Sequence, residues 1–345
     1  MVDPKMELNK SAAFTHDVIF VDGLWGTGKS MIAPIISGMR GVEKQLMNSL
    51  YEELCILRSL SKVTPDAVVA MLQTHANMDQ YHNLIGRAVN LRWGDHSGPK
   101  NNPNSLRYVR RLFAAEGDQV VDHINRENLA LNIMSHMILP VADPLIEAFG
   151  QRLRIIEVVR HPAYMVGHWS AYLSRFNSVR ISDIAFDAHG TKVPWFAADW
   201  ADEFIASSPM DRVLLGISRL YERLFRAIED LNIRSVPLMI VSFESLAMET
   251  GVELKRLEEF LGREHHPHIR KLLKKQKLPR RRLTHGTGHR DYGWKPGADK
   301  SESDEYARIC SSIRASASSE NFARFEQSIV QYNQRWPSIL SQFRS

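Results

Sequence analysis

The chain has 345 residues, 44% of them apolar, and a formal net charge of +5 at pH 7. That length suits one large α/β domain or two smaller ones, with ample apolar content for a core. Cys55 and Cys310 are far apart and lack metal-ligand spacing, which excludes a disulfide framework and fits a reducing compartment. The N-terminus has no apolar signal-type segment, and nothing downstream runs long enough to span a bilayer. The expectation is a cytoplasmic protein without a membrane span.

Asp17-Val-Ile-Phe-Val-Asp22 is a short apolar, β-branched run that reads as a buried strand. Gly23-Leu-Trp-Gly-Thr-Gly28-Lys29-Ser30 follows it, a complete G-x-x-x-x-G-K-[ST] phosphate-binding loop. Met31-Ile-Ala-Pro-Ile-Ile can then start a helix, since Pro34 falls in the first turn. Glycines at 23, 26 and 28 let the backbone wrap an anion with its N–H groups inward, and the helix N-terminus adds partial positive charge. Gly26, Thr27, Gly28, Lys29 and Ser30 are therefore the expected nucleotide-binding core.

Residues 42–91 read as helices with apolar spacing of three and four, as at Leu46, Leu50, Leu54 and Leu57. A polar loop spans 93–103, and 42–115 is expected to be an inserted helical cap. Further strand signals lie at 118–122, 153–159 and 236–241, separated by stretches long enough for crossover helices. This pattern predicts an α/β fold: a three-layer P-loop architecture with a central parallel sheet, a helical insertion and a helical C-terminal region. The expected domains are 14–300 and a C-terminal helical extension, 301–345, packed on it.

The strand at 153–159 ends at Arg160, Pro162 forces a turn, and a helix begins. Ligands of open α/β sheets collect outside the carboxyl ends of strands, so Arg160 is expected in the same crevice as the phosphate loop. An arginine there suits bidentate anion binding.

This order of strand, phosphate loop, helix and a later Val-Val-Arg160-x-Pro162 strand end resembles the sulfotransferases that use 3′-phosphoadenosine 5′-phosphosulfate (PAPS). Ser135-His136-Met-Ile-Leu-Pro140 lies 24 residues before Arg160 and resembles the family's Thr-His-Leu-Pro segment, which carries the catalytic histidine. Asp143–Phe149 resembles the helix leading into the family's arginine strand. Ile240–Leu246 and Glu253–Gly262 resemble the strand and helix that close its core. Gly288-His-Arg290-Asp-Tyr-Gly293-Trp294-Lys295 is a counterpart of the loop over the nucleotide. Two positions depart from the family. Gly26 stands where its loop lysine is usual, and Lys29 takes the nucleoside-triphosphatase position instead. His168 stands where the family has serine, the nearest being Ser170.

The resemblance implies sulfonate transfer from PAPS to a hydroxyl-bearing acceptor, with no metal. The amides of 26–30 would hold the 5′-phosphosulfate, and Lys29 would stabilise charge on the bridging oxygen. His136 would take the acceptor proton, and Arg160, with His168 or Ser170 and with Arg290, would grip the 3′-phosphate. His136 also lies beside Met134 and Met137, a setting that suits a core histidine; Asp122, His123 and His168 are the alternative bases. A kinase using ATP with Mg2+ is the rival enzyme, and Asp22 or Asp122 would hold its metal. The remaining reading is a non-catalytic nucleotide-binding module.

Residues 270–282 carry eight basic and no acidic side chains. They suit an anionic polysaccharide, the nucleotide's own phosphate, or a solvated basic helix; without interleaved aromatics, nucleic acid is disfavoured. Phe196, Trp200 and Phe204 have helical spacing, which suits a packing face more often than an acceptor platform. Sugar, lipid head, peptide and small phenol all satisfy the acceptor chemistry.

Overall fold

A computed structural model describes residues 6–10, 13–92, 97–98, 105–176, 183–283 and 301–337. In chain order the first elements are β1 (Val18–Asp22), α1 (Lys29–Ile36), α2 (Leu50–Ser59), α3 (Pro65–Leu84), α4 (Ser105–Arg110) and α5 (Asp118–Glu127). Then come β2 (Leu131–Met134), α6 (Asp143–Phe149), β3 (Leu153–Val159), α7 (Val166–Arg175), β4 (Ala185–Ala188) and β5 (Thr191–Pro194). The rest are α8 (Ala201–Ala206), α9 (Pro209–Ile233), β6 (Leu238–Ser242), α10 (Phe243–Met248), α11 (Thr250–Leu261), α12 (Ile269–Gln276), α13 (Glu302–Arg314) and α14 (Ser319–Arg335).

The central sheet runs β2-β1-β3-β6, and every pairing is parallel. All five residues of β1 are buried, as a parallel strand covered on both faces requires. Alternation sends Val18 and Phe20 into one apolar cluster and Ile19 and Val21 into the other, so the sheet is the middle of three layers. β2 and β3 flank β1 on opposite sides, so the chain switches direction there and opens a crevice beyond its carboxyl end. The P-loop α/β fold is the architecture the sequence leads one to expect.

Two segments differ from that expectation. Residues 118–122 are not a strand but the start of α5, which buries Val120 and Ile124, four apart, and ends at Asn128 in the left-handed conformation. The second strand is Leu131–Met134, fully buried against β1. The other difference is at 42–46, which is extended rather than helical: Val42 and Leu46 bridge Ala130 and Ile133 in parallel. Leu46 is thus a sheet-edge residue, and the helical spacing of the leucines begins only at α2. α2 and α3 then pack on α6 within the larger apolar cluster.

Phe196, Trp200 and Phe204 are buried in that same cluster, the packing role their spacing implied. Behind the end of β3, Tyr306 of α13 and Tyr332 of α14 pack their rings on His161. Among the described residues, no helix is long and apolar enough to cross a membrane.

Candidate active site

The phosphate loop leaves β1 at Asp22 and enters α1 at Lys29. Gly28 caps α1 with φ +97°, and a Cβ there would lie 2.4 Å from a ring carbon of Phe243. Only glycine permits both the left-handed backbone and that contact. In the first turn of α1 the Met31 N–H turns back to Gly28 O at 2.8 Å, which leaves the N–H groups of Lys29 and Ser30 for an anion. Thr27 is buried and donates from Oγ1 to Leu24 O at 3.0 Å, closing the loop on itself. Ser30 is half-buried beside it.

Lys29 is buried, and its Nζ donates to Gly23 O at 2.6 Å and Leu24 O at 2.8 Å. Burial pulls its pKa down to about 8, against the opposing pull of Asp22, Glu157 and Glu52. Asp22 and Glu157 face each other across the β1–β3 register. Burial first, then the neighbouring Asp22, raise the Glu157 pKa well above its ordinary value.

His136 follows β2, and Asp22 fixes its turn from both sides. Asp22 Oδ1 accepts from Ser135 Oγ at 3.0 Å, and Oδ2 accepts from the N–H groups of Ile138 and Leu139, each at 2.9 Å. The residue that starts the phosphate loop therefore also positions the histidine. His136 Nδ1 lies 3.1 Å from Glu52 Oε1, and its ring stacks on Trp25 with centroids 3.9 Å apart. Trp25 in turn stacks on Tyr172, and the Lys29 ammonium sits 5.9 Å from the Trp25 ring centroid. Burial raises the Glu52 pKa to about 8, with Lys29 opposing it. Lys29, Glu52 and His136 form one coupled cluster around an indole.

A second constellation lies across Gly26. Arg160 Nη1 donates to Gly26 O at 2.9 Å, and its guanidinium stands 4.3 Å from the Phe243 ring centroid. Arg280 approaches the same ring at 5.3 Å. The Nε groups of both arginines are buried without a hydrogen-bond partner. The carboxylate that Arg160 feels, Glu244, is already taken by the His161 N–H at 3.0 Å and the Tyr332 hydroxyl at 2.7 Å. The charge that Arg280 feels is that of Arg160; burial and this repulsion bring its pKa down to about 10. Two cations share one ring, and among the described residues no carboxylate bonds either guanidinium.

His168 packs on the loop: a Cβ at Gly26 would lie 3.1 Å from His168 Cβ. Ser170, two positions along α7, points away from the face that His168 presents, because such residues do not share a helical face. Arg290 lies outside the described residues, as does the rest of 284–300.

The metal-holding carboxylates of the kinase reading are not available at the loop. Asp22 is buried and spent on Ser135, Ile138 and Leu139, whereas Asp122 is exposed on α5. Asp122 and the alternative base His123 precede the amino end of β2, and His136 follows its carboxyl end. The basic tract is mostly the solvated helix α12, with Arg280 turned inward beyond its end. Glu52, Trp25, Phe243 and Arg280 join the site without having been singled out from sequence. Glu52 looks there like any first-turn acid of a helix, and Arg280 like one charge among eight.

No family model and no curated protein matches the chain. Among solved structures it is similar to the sulfotransferase domain of the olefin synthase of Synechococcus PCC 7002, at 14% identity and TM-score 0.36, over 90% of this chain and 97% of that one. It is also similar to the sulfotransferase domain of the curacin biosynthetic pathway, at 11% identity and TM-score 0.40, over 87% and 98%. Sulfotransferase STF9 from Mycobacterium avium gives 11% identity and TM-score 0.39, over 87% and 76%.

Proposed function

We propose that this protein is a sulfotransferase that moves a sulfonate group from PAPS to a hydroxyl-bearing acceptor. The observation that carries this reading is the Arg160–Arg280 pair beside the phosphate loop, to which no carboxylate bonds among the described residues. A nucleotide with a 5′-phosphosulfate and a separate 3′-phosphate needs two anion sites, one at the loop and one set to its side. A nucleoside triphosphate carries its charge in a single chain, and its magnesium needs a free carboxylate that Asp22 does not supply.

In this mechanism the acceptor oxygen attacks sulfur as the bond from sulfur to the bridging oxygen breaks in line. The acceptor proton passes to His136 Nε2, while Glu52 accepts from the Nδ1–H and holds the ring against Trp25. Negative charge develops on the departing 5′-phosphate. The first-turn amides of α1 receive it, and Lys29 exchanges its bonds to Gly23 O and Leu24 O for one to the bridging oxygen. Arg160, Arg280 and His168 hold the far end of the nucleotide.

Incubating the protein with PAPS and a panel of hydroxyl compounds, with a chelator present, tests the reading. Release of adenosine 3′,5′-bisphosphate that depends on the acceptor is expected. Phosphoryl transfer from ATP with Mg2+, with no turnover of PAPS, would establish the kinase instead.

A further inference from the structure

At the opposite end of the sheet from the phosphate loop, α4 and the 3-10 turn Arg111–Phe113 lie over Glu43, whose N–H donates to Ala130 O just before β2. This segment is amphipathic in an unusual sense. Its inward face is polar: Arg111 and Tyr108 are buried on Glu43. Its outward face is apolar, with Phe113 87%, Leu106 71%, Leu112 44% and Val109 43% exposed. Leu106, Val109 and Phe113 are spaced three and four apart, so they emerge on one side, with exposed Arg110 among them. Exposed large apolar residues are ordinary when scattered, but four within eight positions mark a contact surface.

Beside this stripe opens a cavity of about 970 Å3 between α4 and α5. Arg107, Arg110, Arg111, Arg126, His123 and His268 line it, and no carboxylate does. Arg107 and Arg111 share the single carboxylate of Glu43, whereas Arg126 is 70% exposed and stands 3.8 Å from Glu127. The surface therefore joins protruding apolar side chains to a cationic hollow.

We propose that this face docks on an anionic lipid surface, with Phe113, Leu106 and Val109 entering the boundary between headgroups and acyl chains and Arg110 and Arg126 meeting phosphate or carboxylate headgroups. The pairing of charge and apolar tips selects this occupant. A second copy docked about a twofold axis would set the arginines against their own counterparts. A soluble polyanion would satisfy the hollow and leave the stripe in water. Short interfacial segments of this composition bind through buried apolar area plus attraction to anionic lipid.

The test is vesicle flotation of the full chain with phosphatidylcholine alone and with added phosphatidylserine. Binding to the anionic vesicles that weakens with salt, and none to the neutral ones, is expected. Phe113→Ser should lower the partition about tenfold or more, the value of one buried aromatic. Arg110→Ala and Arg126→Ala should each lower it about fivefold. These side chains are largely exposed, so circular dichroism and melting temperature should match the wild type. Failure to bind anionic vesicles, equal binding to neutral ones, or indifference to the three substitutions would overturn the proposal. So would heparin binding without vesicle binding, which assigns the hollow to a soluble polyanion. A dimer that Phe113→Ser dissociates in light scattering, with no vesicle binding, would assign the face to a second copy.

Discussion

Two pairs of arginines are drawn into this protein, and they end differently. Arg107 and Arg111 converge on Glu43, whose carboxylate is fully buried and also receives Tyr108 and Asn83. Burial works against that charge, yet the bonds from Arg111 and Arg107 hold the Glu43 pKa below its ordinary value. Arg160 and Arg280 meet the face of Phe243, one backbone carbonyl each, the Tyr164 ring and the Met31 sulfur, with no carboxylate bonded to either among the described residues, and burial lowers the pKa of both. The first pair brings its own anion and ties 105–113 to the body of the molecule. The second rests on a ring that tolerates cations without neutralising them, which suits the anion-binding role proposed for it. Charge that serves structure is cancelled inside the fold; charge that serves binding is left over.

The largest effect should come from breaking the self-sufficient pair. Glu43→Ala leaves two arginines without their anion and should cost about 3–5 kcal/mol of stability. Chemical denaturation would measure it, and molecules still folded should retain turnover.

Lys29→Ala attacks the other region and should also cost some stability, because Gly23 O and Leu24 O lose their donor. It removes the charge nearest the bridging oxygen, for about 2.7–4 kcal/mol of transition-state stabilisation. Normal turnover in that variant would refute the phosphate-loop chemistry.

Glu52→Gln should reduce the rate about a hundredfold by replacing the carboxylate that steadies the His136 imidazolium with a neutral amide. The pH profile carries more information. Glu52 ionises as pH rises through about 8, which raises the rate, and Lys29 loses its proton over the same range, which lowers it. The wild-type kcat/KM should therefore peak near pH 8 and fall on both sides. In the folded state Glu52 keeps a proton that the unfolded chain releases above the ordinary value of 4.5. Wild-type stability therefore declines as pH rises from there to about 8, and Glu52→Gln, which cannot ionise, should melt higher than wild type above pH 8.

The smallest effect sharpens the comparison. Arg280→Ala should leave the melting temperature of the ligand-free protein unchanged or slightly raised, because the charge it removes is repelled by Arg160 and has no anion. Arg111→Ala, measured alongside, should lower it.

How much of this was legible in sequence follows the same division. The strand, loop and helix at 17–36 were readable because the phosphate loop needs glycines at fixed offsets, and β3 because five of the seven residues of Leu153–Val159 are apolar and most of those β-branched. The second strand was not, because Val120 and Val121 in a polar setting imitate a strand. The real one, Leu131-Asn-Ile-Met134, is four residues long and interrupted by Asn132, whose side chain bonds Ser37 Oγ at 3.0 Å. Arg160 was found through its place at the end of a strand, and His136 through the resemblance of Ser135–Pro140 to a family segment, since the strand before it was not read. Glu52 and Arg280 were not, since nothing local distinguishes an acid that meets a histidine 84 positions away or an arginine that turns inward beyond the end of α12.

The central claim is that Arg160 and Arg280 read a phosphate that only a 3′-phosphorylated nucleotide carries. Calorimetric titration of the wild type and of the Arg160→Ala/Arg280→Ala variant with adenosine 3′,5′-bisphosphate and with adenosine 5′-monophosphate tests it. Charge-assisted hydrogen bonds contribute about 1.5–3 kcal/mol each, so the wild type should prefer the bisphosphate by at least about tenfold. The double variant should bind both nucleotides alike, at the monophosphate's affinity. Equal affinities in the wild type, or a preference that survives the loss of both arginines, would contradict the account.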